Sequence, residues 1–323
     1  MAPEMFPHMQ PAQRWRVLIP RPLTPEAERV AGMRFDLRLA SRPLSVAETL
    51  EGARAHDAQG MIIGTNLTLS AETIAALPAG LCVIATTGAG LDHIDLDAAR
   101  ARNIAIHNVP EIGAEDTADL TLMLLLMACR RATEHAATLR AGWPRRMGYA
   151  EKLGLRVTGR RLGIVGMGRI GQLVADRAKG FGMQVMYHQR RPAAGRSEPF
   201  FSDLDAMLPR VDTLSLHLPE TEMTRGLLSA ARIALMPHGS VLVNAARGGL
   251  VDEGALIEAL ASGQLAAAGL DVFCSEPGGN PALLALPNVA ATPHVGSATE
   301  ESRTGIALRC LDIVEKEMAQ RLA

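Results

Sequence analysis

Three glycines at the spacing G-x-G-x-x-G, Gly166, Gly168 and Gly171, lie within the run LGIVGMGRIGQLVADRAKGFGMQVMYHQRR. The run reads as apolar strand, glycine turn, amphipathic helix and second strand, the context in which this spacing binds a dinucleotide. Gly166 permits the tight turn, Gly168 opens the backbone to a pyrophosphate, and Gly171 lets helix and strand pack closely. The anion would rest on the free N–H groups that begin the helix, where the dipole also favours negative charge. Coenzyme choice is written at the end of the second strand. About twenty residues past the glycines, a site for NAD carries Asp or Glu against the ribose 2′-hydroxyl. Here that position is Gln189, and Arg190 and Arg191 follow it. A carboxylate would repel a 2′-phosphate, whereas a guanidinium fork suits one. The sequence therefore predicts a preference for NADPH, with NADP or NAD as the coenzyme class.

Such a turn needs a sheet edge to stand on, and the chain alternates strands and helices throughout. Strand candidates in the first third are Val17–Ile19, Met61–Ile63, Leu81–Ala85 and Ile104–Ile106, with helical stretches at Ser45–Ala58 and Ser70–Leu77. A long helix is expected from Ala114 to Arg140, its centre LTLMLLLMAC apolar on almost every side and so deeply buried. A second alternating block offers strands at Leu162–Val165, Gln184–Tyr187, Thr213–His217, Ser240–Ala245, Ala267–Val272 and Val289–Ala291. A last helix is expected from Thr299 to Leu322. Continuous apolar strands separated by helices indicate parallel sheets covered on both faces.

Length and composition narrow the functions open to such a fold. The 323 residues suggest roughly two domains at about 150 residues each. Lys and Arg number 33 against 34 Asp and Glu, a net charge of −1, so no basic excess is available to neutralise a nucleic-acid backbone. Cys82, Cys129, Cys274 and Cys310 form no CxxC pair and read as buried thiols in a reducing compartment. The N-terminal stretch MAPEMFPHMQPAQR has no apolar segment of signal-peptide type, and the most apolar run, Leu120–Cys129, is about half a bilayer span. A cytoplasmic protein, free of membrane and nucleic acid, is the expectation. No metal-ligand spacing stands out.

Further segments extend the pattern: TTGAGLDHID (Thr86 to Asp95), LVNAARGGLVDEGAL around Arg247, GLDVFCSEP with Asp271 and Glu276, and TPHVGSAT with His294. With the Gly166 fingerprint, they resemble the D-isomer-specific 2-hydroxyacid dehydrogenases over about Met61 to Arg303. The resemblance implies two doubly wound α/β parallel-sheet domains. A Rossmann nucleotide domain (109–298) is inserted into a flavodoxin-like substrate domain (1–108 with 299–323), and the active site lies in their cleft. It also implies a homodimer.

What the resemblance implies for roles agrees with the chemistry of reducing a 2-keto acid. Arg247 would hold the substrate carboxylate and polarise the carbonyl, His294 would donate the proton, and Glu276 would orient and charge the imidazole. Substrate would also meet backbone amides at Ala89 and Gly90. Coenzyme contacts carried over by motif are Thr117, Arg169, Ile170, Leu218, Pro219, Thr224, Ala245, Asp271 and Gly296, besides the fingerprint glycines and Gln189 to Arg191. His217 matches a family position beside the coenzyme and reads as structural. Within the family, the arginine pair and the phrase NPALLALPNVAATPHVGSATEESR look most like glyoxylate/hydroxypyruvate reductases, and no cation for a phosphorylated substrate is evident in TTGAGLDHID. Another 2-hydroxyacid or phosphite dehydrogenase, and a nucleotide-sensing protein resembling corepressors on this scaffold, remain open at this point. So do the physiological substrate and direction.

Overall fold

A computed structural model describes residues 14–322; residues 1–13, on which the reading of the N-terminus rests, lie outside them. In chain order the elements begin β1 (Arg16–Ile19), α1 (Pro25–Arg34), β2 (Asp36–Leu39), α2 (Val46–Ala55), β3 (Gly60–Ile63), α3 (Ala71–Ala75), β4 (Val83–Thr86), α4 (Leu96–Ala101) and β5 (Ala105–Asn108). They continue with α5 (Ala114–Cys129), α6 (Ala132–Arg140), β6 (Arg161–Val165), α7 (Arg169–Gly180), β7 (Gln184–His188), β8 (Phe200–Phe201), α8 (Leu204–Met207) and β9 (Thr213–Leu216). The series ends with α9 (Ala230–Leu235), β10 (Ser240–Asn244), α10 (Glu253–Ser262), β11 (Leu265–Leu270), α11 (Pro281–Leu284), β12 (Val289–Ala291) and α12 (Glu300–Leu322).

Contacts divide the chain into a smaller unit, through Gly113 and again from Ala298, and a larger unit, Ala114–Ser297. The smaller unit holds a parallel sheet ordered β2-β1-β3-β4-β5, and the larger a parallel sheet ordered β12-β11-β10-β9-β6-β7-β8. Each is a doubly wound α/β sheet. Successive strand residues point to opposite faces, and both faces are buried, which is why the strands read as unbroken apolar runs. In the larger unit Ile164, Val241 and Val243 pack beneath α5 and α7, while Val165, Leu242 and Leu256 fill the other face. In the smaller unit Val17, Ile62, Val83 and Ala85 pack against Cys310, Leu311 and Val314 of α12, and Leu18, Met61, Ile63 and Ile84 fill the opposite side.

Helix ends follow local chemistry. Ser45 and Glu48 form a capping box on α2, and Asp252 caps α10, which stops at Gly263 with φ 80°. α7 buries Gly171, Val174, Ala175 and Ala178, one stripe at helical spacing.

The expected single helix from Ala114 to Arg140 is two helices. Arg131 turns left-handed at φ 50° between α5 and α6. The cause is tertiary: the Cys129 carbonyl accepts the Leu155 N–H at 2.7 Å, so a returning segment takes the bond that a continued helix would use. Nor is α5 buried all round, for Met123 is 39% exposed. β2 and the two-residue β8 were not expected. Both are edge strands, and β2 alternates exposed and half-buried residues, so neither carries the apolar run that marks an interior strand. Among the described residues no helix is long and apolar enough to cross a membrane.

Packing of α5 on the sheet depends on Gly269, where a Cβ would lie 2.9 Å from both Leu124 Cβ and the Leu124 carbonyl oxygen. Overpacking of this kind costs about 1–3 kcal/mol. Gly269→Ala should therefore lower Tm by about 2–4 °C per kcal/mol; an unchanged melting curve would contradict the close approach.

Candidate active site

The order of the larger sheet reverses between β6 and β9, and in open parallel sheets ligands bind outside the carboxyl ends of strands at such a reversal. The Gly166 turn leaves β6 there, and His217 and Leu218 leave β9 beside it. Gly166 has φ 100°, and a Cβ on it would lie 2.7 Å from the His217 carbonyl oxygen and 2.8 Å from Leu218 Cδ2. At Gly171 a Cβ would lie 2.1 Å from the Gly166 carbonyl oxygen. Gly168 differs: a Cβ there would meet nothing within 4 Å, and its position caps α7 without a side-chain hydrogen bond. Open space therefore faces the first turn of α7, the geometry that receives a pyrophosphate.

At the end of β7 the Gln189 amide is engaged at both ends. Its Oε1 accepts the Met167 N–H at 3.1 Å, and its Nε2 donates to the Arg191 carbonyl at 2.6 Å. Gln189 is thus a strut between the glycine turn and the arginine pair. Arg190 and Arg191 are exposed. The loop beyond is pinned by the Ala193 N–H donating to the Tyr187 hydroxyl at 3.0 Å, and by Arg196 gripping Asp176 at 2.7 and 3.0 Å. Thr224 Oγ1 donates to the Pro219 carbonyl at 2.7 Å, fixing the turn after β9.

Three further strand ends bring the chemistry together. Asn244 closes β10: its Nδ2 donates to the Arg247 carbonyl at 2.8 Å and its Oδ1 accepts the Ala246 N–H at 3.1 Å, which shapes the Ala245–Arg247 turn. Gly248 lets this turn lie against the next, since a Cβ on it would be 2.0 Å from the Phe273 carbonyl carbon. The Phe273 N–H then donates to Glu276 Oε1 at 2.8 Å. After β11, buried Asp271 accepts from Thr292 Oγ1 at 2.6 Å, the Val295 N–H at 2.8 Å and the Gly296 N–H at 2.8 Å. Thr117 of α5 closes on the same point, its Oγ1 lying 3.2 Å from where a Gly296 Cβ would be.

His294 projects from that loop at φ 53°, and its Nδ1 meets Glu276 Oε2 at 2.6 Å. The hydrogen bond to Glu276, working against burial, holds the imidazole above the ordinary histidine value. The charges of Glu276 and Asp271 add to this, and Arg247 opposes it. Burial disfavours charge on Glu276, yet His294, the Phe273 N–H and Arg247 together hold that carboxyl below the usual range. Burial raises Asp271, and its hydrogen bonds oppose the shift. His217, by contrast, is pushed down to about 4 by burial, with its Nε2 2.8 Å from Ser215 Oγ, so it is neutral at pH 7. Arg247, Glu276 and His294 thus come together in the larger unit.

Ala89 and Gly90 belong to the smaller unit, in the loop after β4. The Gly88 N–H donates to Thr86 Oγ1 at 3.3 Å, and Asn108 Nδ2 donates to the Ala89 carbonyl at 2.5 Å. Sequence reasoning did not single out Asn244, Thr292 or the Gly248–Phe273 contact. Only the doubled glycine after Arg247 hinted at the last. Across the described residues no group of three or more His, Cys, Asp or Glu is placed to hold a metal ion.

An NMR titration tests the pair directly. The His294 imidazole should titrate above the ordinary value of about 6.5. In Glu276→Gln it should fall, because the neutral amide cannot stabilise imidazolium. An unchanged pKa would remove Glu276 from the role.

The profile of the D-isomer specific 2-hydroxyacid dehydrogenase NAD binding domain matches residues 122–296. The D-3-phosphoglycerate dehydrogenase of Mycobacterium leprae is 41% identical over 78% of this chain, but the match covers 47% of that protein, so the chain spans about half the length of this relative. The glyoxylate reductase of Thermococcus litoralis is 42% identical over 70% of this chain and 71% of its own length. An NADPH-dependent glyoxylate/hydroxypyruvate reductase from Sinorhizobium meliloti, solved with NADP and malonate, superposes with a TM-score of 0.83 at 33% identity over 93% of this chain and 92% of its own. The strand-end geometry, the matched profile and these likenesses agree that the chain belongs to the D-isomer-specific 2-hydroxyacid dehydrogenase family.

Proposed function

We propose that the protein reduces a small 2-keto acid, glyoxylate or hydroxypyruvate, to glycolate or D-glycerate with NADPH. The observation that carries this reading is the 2.6 Å hydrogen bond between His294 and Glu276 within the field of Arg247. The T. litoralis and S. meliloti relatives, as a glyoxylate reductase and a glyoxylate/hydroxypyruvate reductase, support the substrate class.

The coenzyme fits the residues present. Open space at Gly168, before the first turn of α7, suits a pyrophosphate, and exposed Arg190 and Arg191 suit a 2′-phosphate held bidentately. Gln189 sets their backbone instead of carrying a carboxylate that would repel the phosphate. When bound, the reduced nicotinamide supplies a hydride to the keto carbon. Arg247 holds the substrate carboxylate and polarises the carbonyl, and the amides of Ala89 and Gly90 take the carboxylate's remaining oxygen lone pairs. His294, protonated because Glu276 stabilises imidazolium, delivers a proton from Nε2 to the carbonyl oxygen. In the reverse direction the neutral imidazole accepts it.

We further propose that the protein acts as a homodimer in the cytoplasm, where its free cysteines stay reduced. The face offered for pairing is an apolar groove between α5 and α7, lined by Leu122, Met123, Leu126, Met127 and Phe181. Soluble monomers rarely leave such a contiguous patch uncovered.

Steady-state kinetics with both coenzymes on glyoxylate, hydroxypyruvate, pyruvate and a bulky keto acid test the reading. NADPH should be favoured, and Gln189→Asp with Arg190→Ala should shift preference to NADH; a roughly tenfold wild-type preference for NADH, about 1.4 kcal/mol, would sink the coenzyme assignment. Reduction should decline as pH rises through the raised His294 pKa, and oxidation should rise over the same interval. Acid–base catalysis contributes about 10²–10⁴-fold, so His294→Asn should lose that much kcat with coenzyme affinity little changed. Arg247→Ala should harm kcat and KM together. Light scattering should give twice the chain mass, and Met123→Lys should shift it toward one; a wild-type monomer would remove the dimer.

A further inference from the structure

The smaller unit carries two cations where the strand order of its sheet reverses, drawn near each other where Thr304 Oγ1, beside Arg303, donates to Thr24 Oγ1 at 2.8 Å. Arg21 follows β1, held between Pro20 and Pro22, and Arg303 stands in the first turn of α12. Both are half-buried. Burial and the charge of Arg303 pull Arg21 below the ordinary arginine value, and burial lowers Arg303 as well. Arg21 Nη1 reaches Asn66 Oδ1 at 3.4 Å, a neutral acceptor. Among the described residues neither guanidinium forms an ion pair with an Asp or Glu. Two like charges drawn from water side by side are costly unless an anion joins them.

Their place in the fold says where such an anion would come from. The strand order reverses between β1 and β3, since β1 runs on to β2 at one side and the chain then returns to β3 at the other. Arg21 leaves the carboxyl end of β1, and Gly64 to Asn66 leave the carboxyl end of β3, so the cations sit at the reversal that recruits ligands in open sheets. Gly64 clears the position: a Cβ on it would lie 2.1 Å from Arg21 Nη1. Thr65, the next residue, packs its methyl over Gly88, where a Cβ would lie 2.2 Å away. The cations are therefore separated by one short loop from the Thr87–Gly90 turn.

We propose that Arg21 and Arg303 form an anion subsite for a second charged group, a distal carboxylate or phosphate, of the 2-keto acid substrate. This rests on the reading of Thr87–Gly90 as the loop that takes the keto acid's own carboxylate. Planar guanidinium forks match the oxygens of either group and supply the counter-charge that the pair lacks. Glyoxylate has no atom to place there. A three- or four-carbon keto acid with a charged terminus has one.

The test is kcat/KM with NADPH for hydroxypyruvate, oxaloacetate and 3-phosphohydroxypyruvate, in the wild type and in Arg21→Met, Arg303→Met and Arg21→Lys. Charge-assisted hydrogen bonds to the second anionic group should make one of the two doubly functional acids exceed hydroxypyruvate at least tenfold in the wild type. That ratio should fall at least tenfold in each Met variant and only partly in Arg21→Lys. The better of oxaloacetate and 3-phosphohydroxypyruvate identifies the group as carboxylate or phosphate. Equal losses on all three acids, or no advantage of either over hydroxypyruvate in the wild type, would overturn the subsite while leaving the reductase reading intact. Turnover of none of the acids would overturn that reading instead. If a Met variant does not fold, the wild-type ranking and Arg21→Lys still decide the matter.

Discussion

A buried carboxylate at the end of β11 governs the larger unit. Asp271 accepts a hydroxyl hydrogen from Thr292 and two backbone N–H groups from Val295 and Gly296, while its own carbonyl accepts the His294 N–H at 2.8 Å. Four bonds from one residue thus bracket His294 on both sides. They hold it at φ 53°, a backbone conformation that a side-chain-bearing residue adopts only when its surroundings enforce it. Without that bracket the imidazole would have no reason to face Glu276. The cost is a carboxylate removed from water, which raises Asp271 even with its hydrogen bonds made.

Contacts that only glycine permits complete the arrangement. Gly248 lets the Arg247 turn touch the backbone at Phe273, and Phe273 in turn donates to Glu276. The turns that carry the cation and the orienting carboxylate therefore touch through main chain, and the imidazole joins them through its own hydrogen bond to Glu276. Gly166 and Gly171 do the same for the phosphate turn, where helix, strand and the loop after β9 approach within contact of one another. The charges then follow from position: Glu276 raises His294, and Arg247 restrains the rise.

Periodic and motif-borne features were legible before any coordinates. Unbroken apolar runs marked the interior strands, and the glycine spacing together with the residues after β7 announced a dinucleotide turn. Interactions between distant segments were not legible. The break at Arg131 comes from Leu155 bonding to Cys129, two positions that no local pattern connects. β2 escaped notice because an edge strand buries too little to need apolar residues on both faces. Gln189 was visible as a missing carboxylate, but its use as a strut needed the Met167 N–H to be located in space. Arg21 and Arg303 lie 282 positions apart in the chain, and their proximity appears only once α12 is seated on the smaller sheet, with Thr304 bonded to Thr24.

The larger unit is one continuous stretch, whereas the smaller is assembled from both flanks of it. Cys310, Leu311, Val314 and Met318 of α12 belong to the smaller unit's core, and Gly60 of β3 is shaped to receive Met318 and Val314. During synthesis the inserted stretch has all its strands before α12 emerges from the ribosome. The first five strands must wait, with one apolar face covered only in part by α1, for α12 to return across the whole insertion. That interval is when the nascent chain is most exposed to aggregation and most dependent on chaperones.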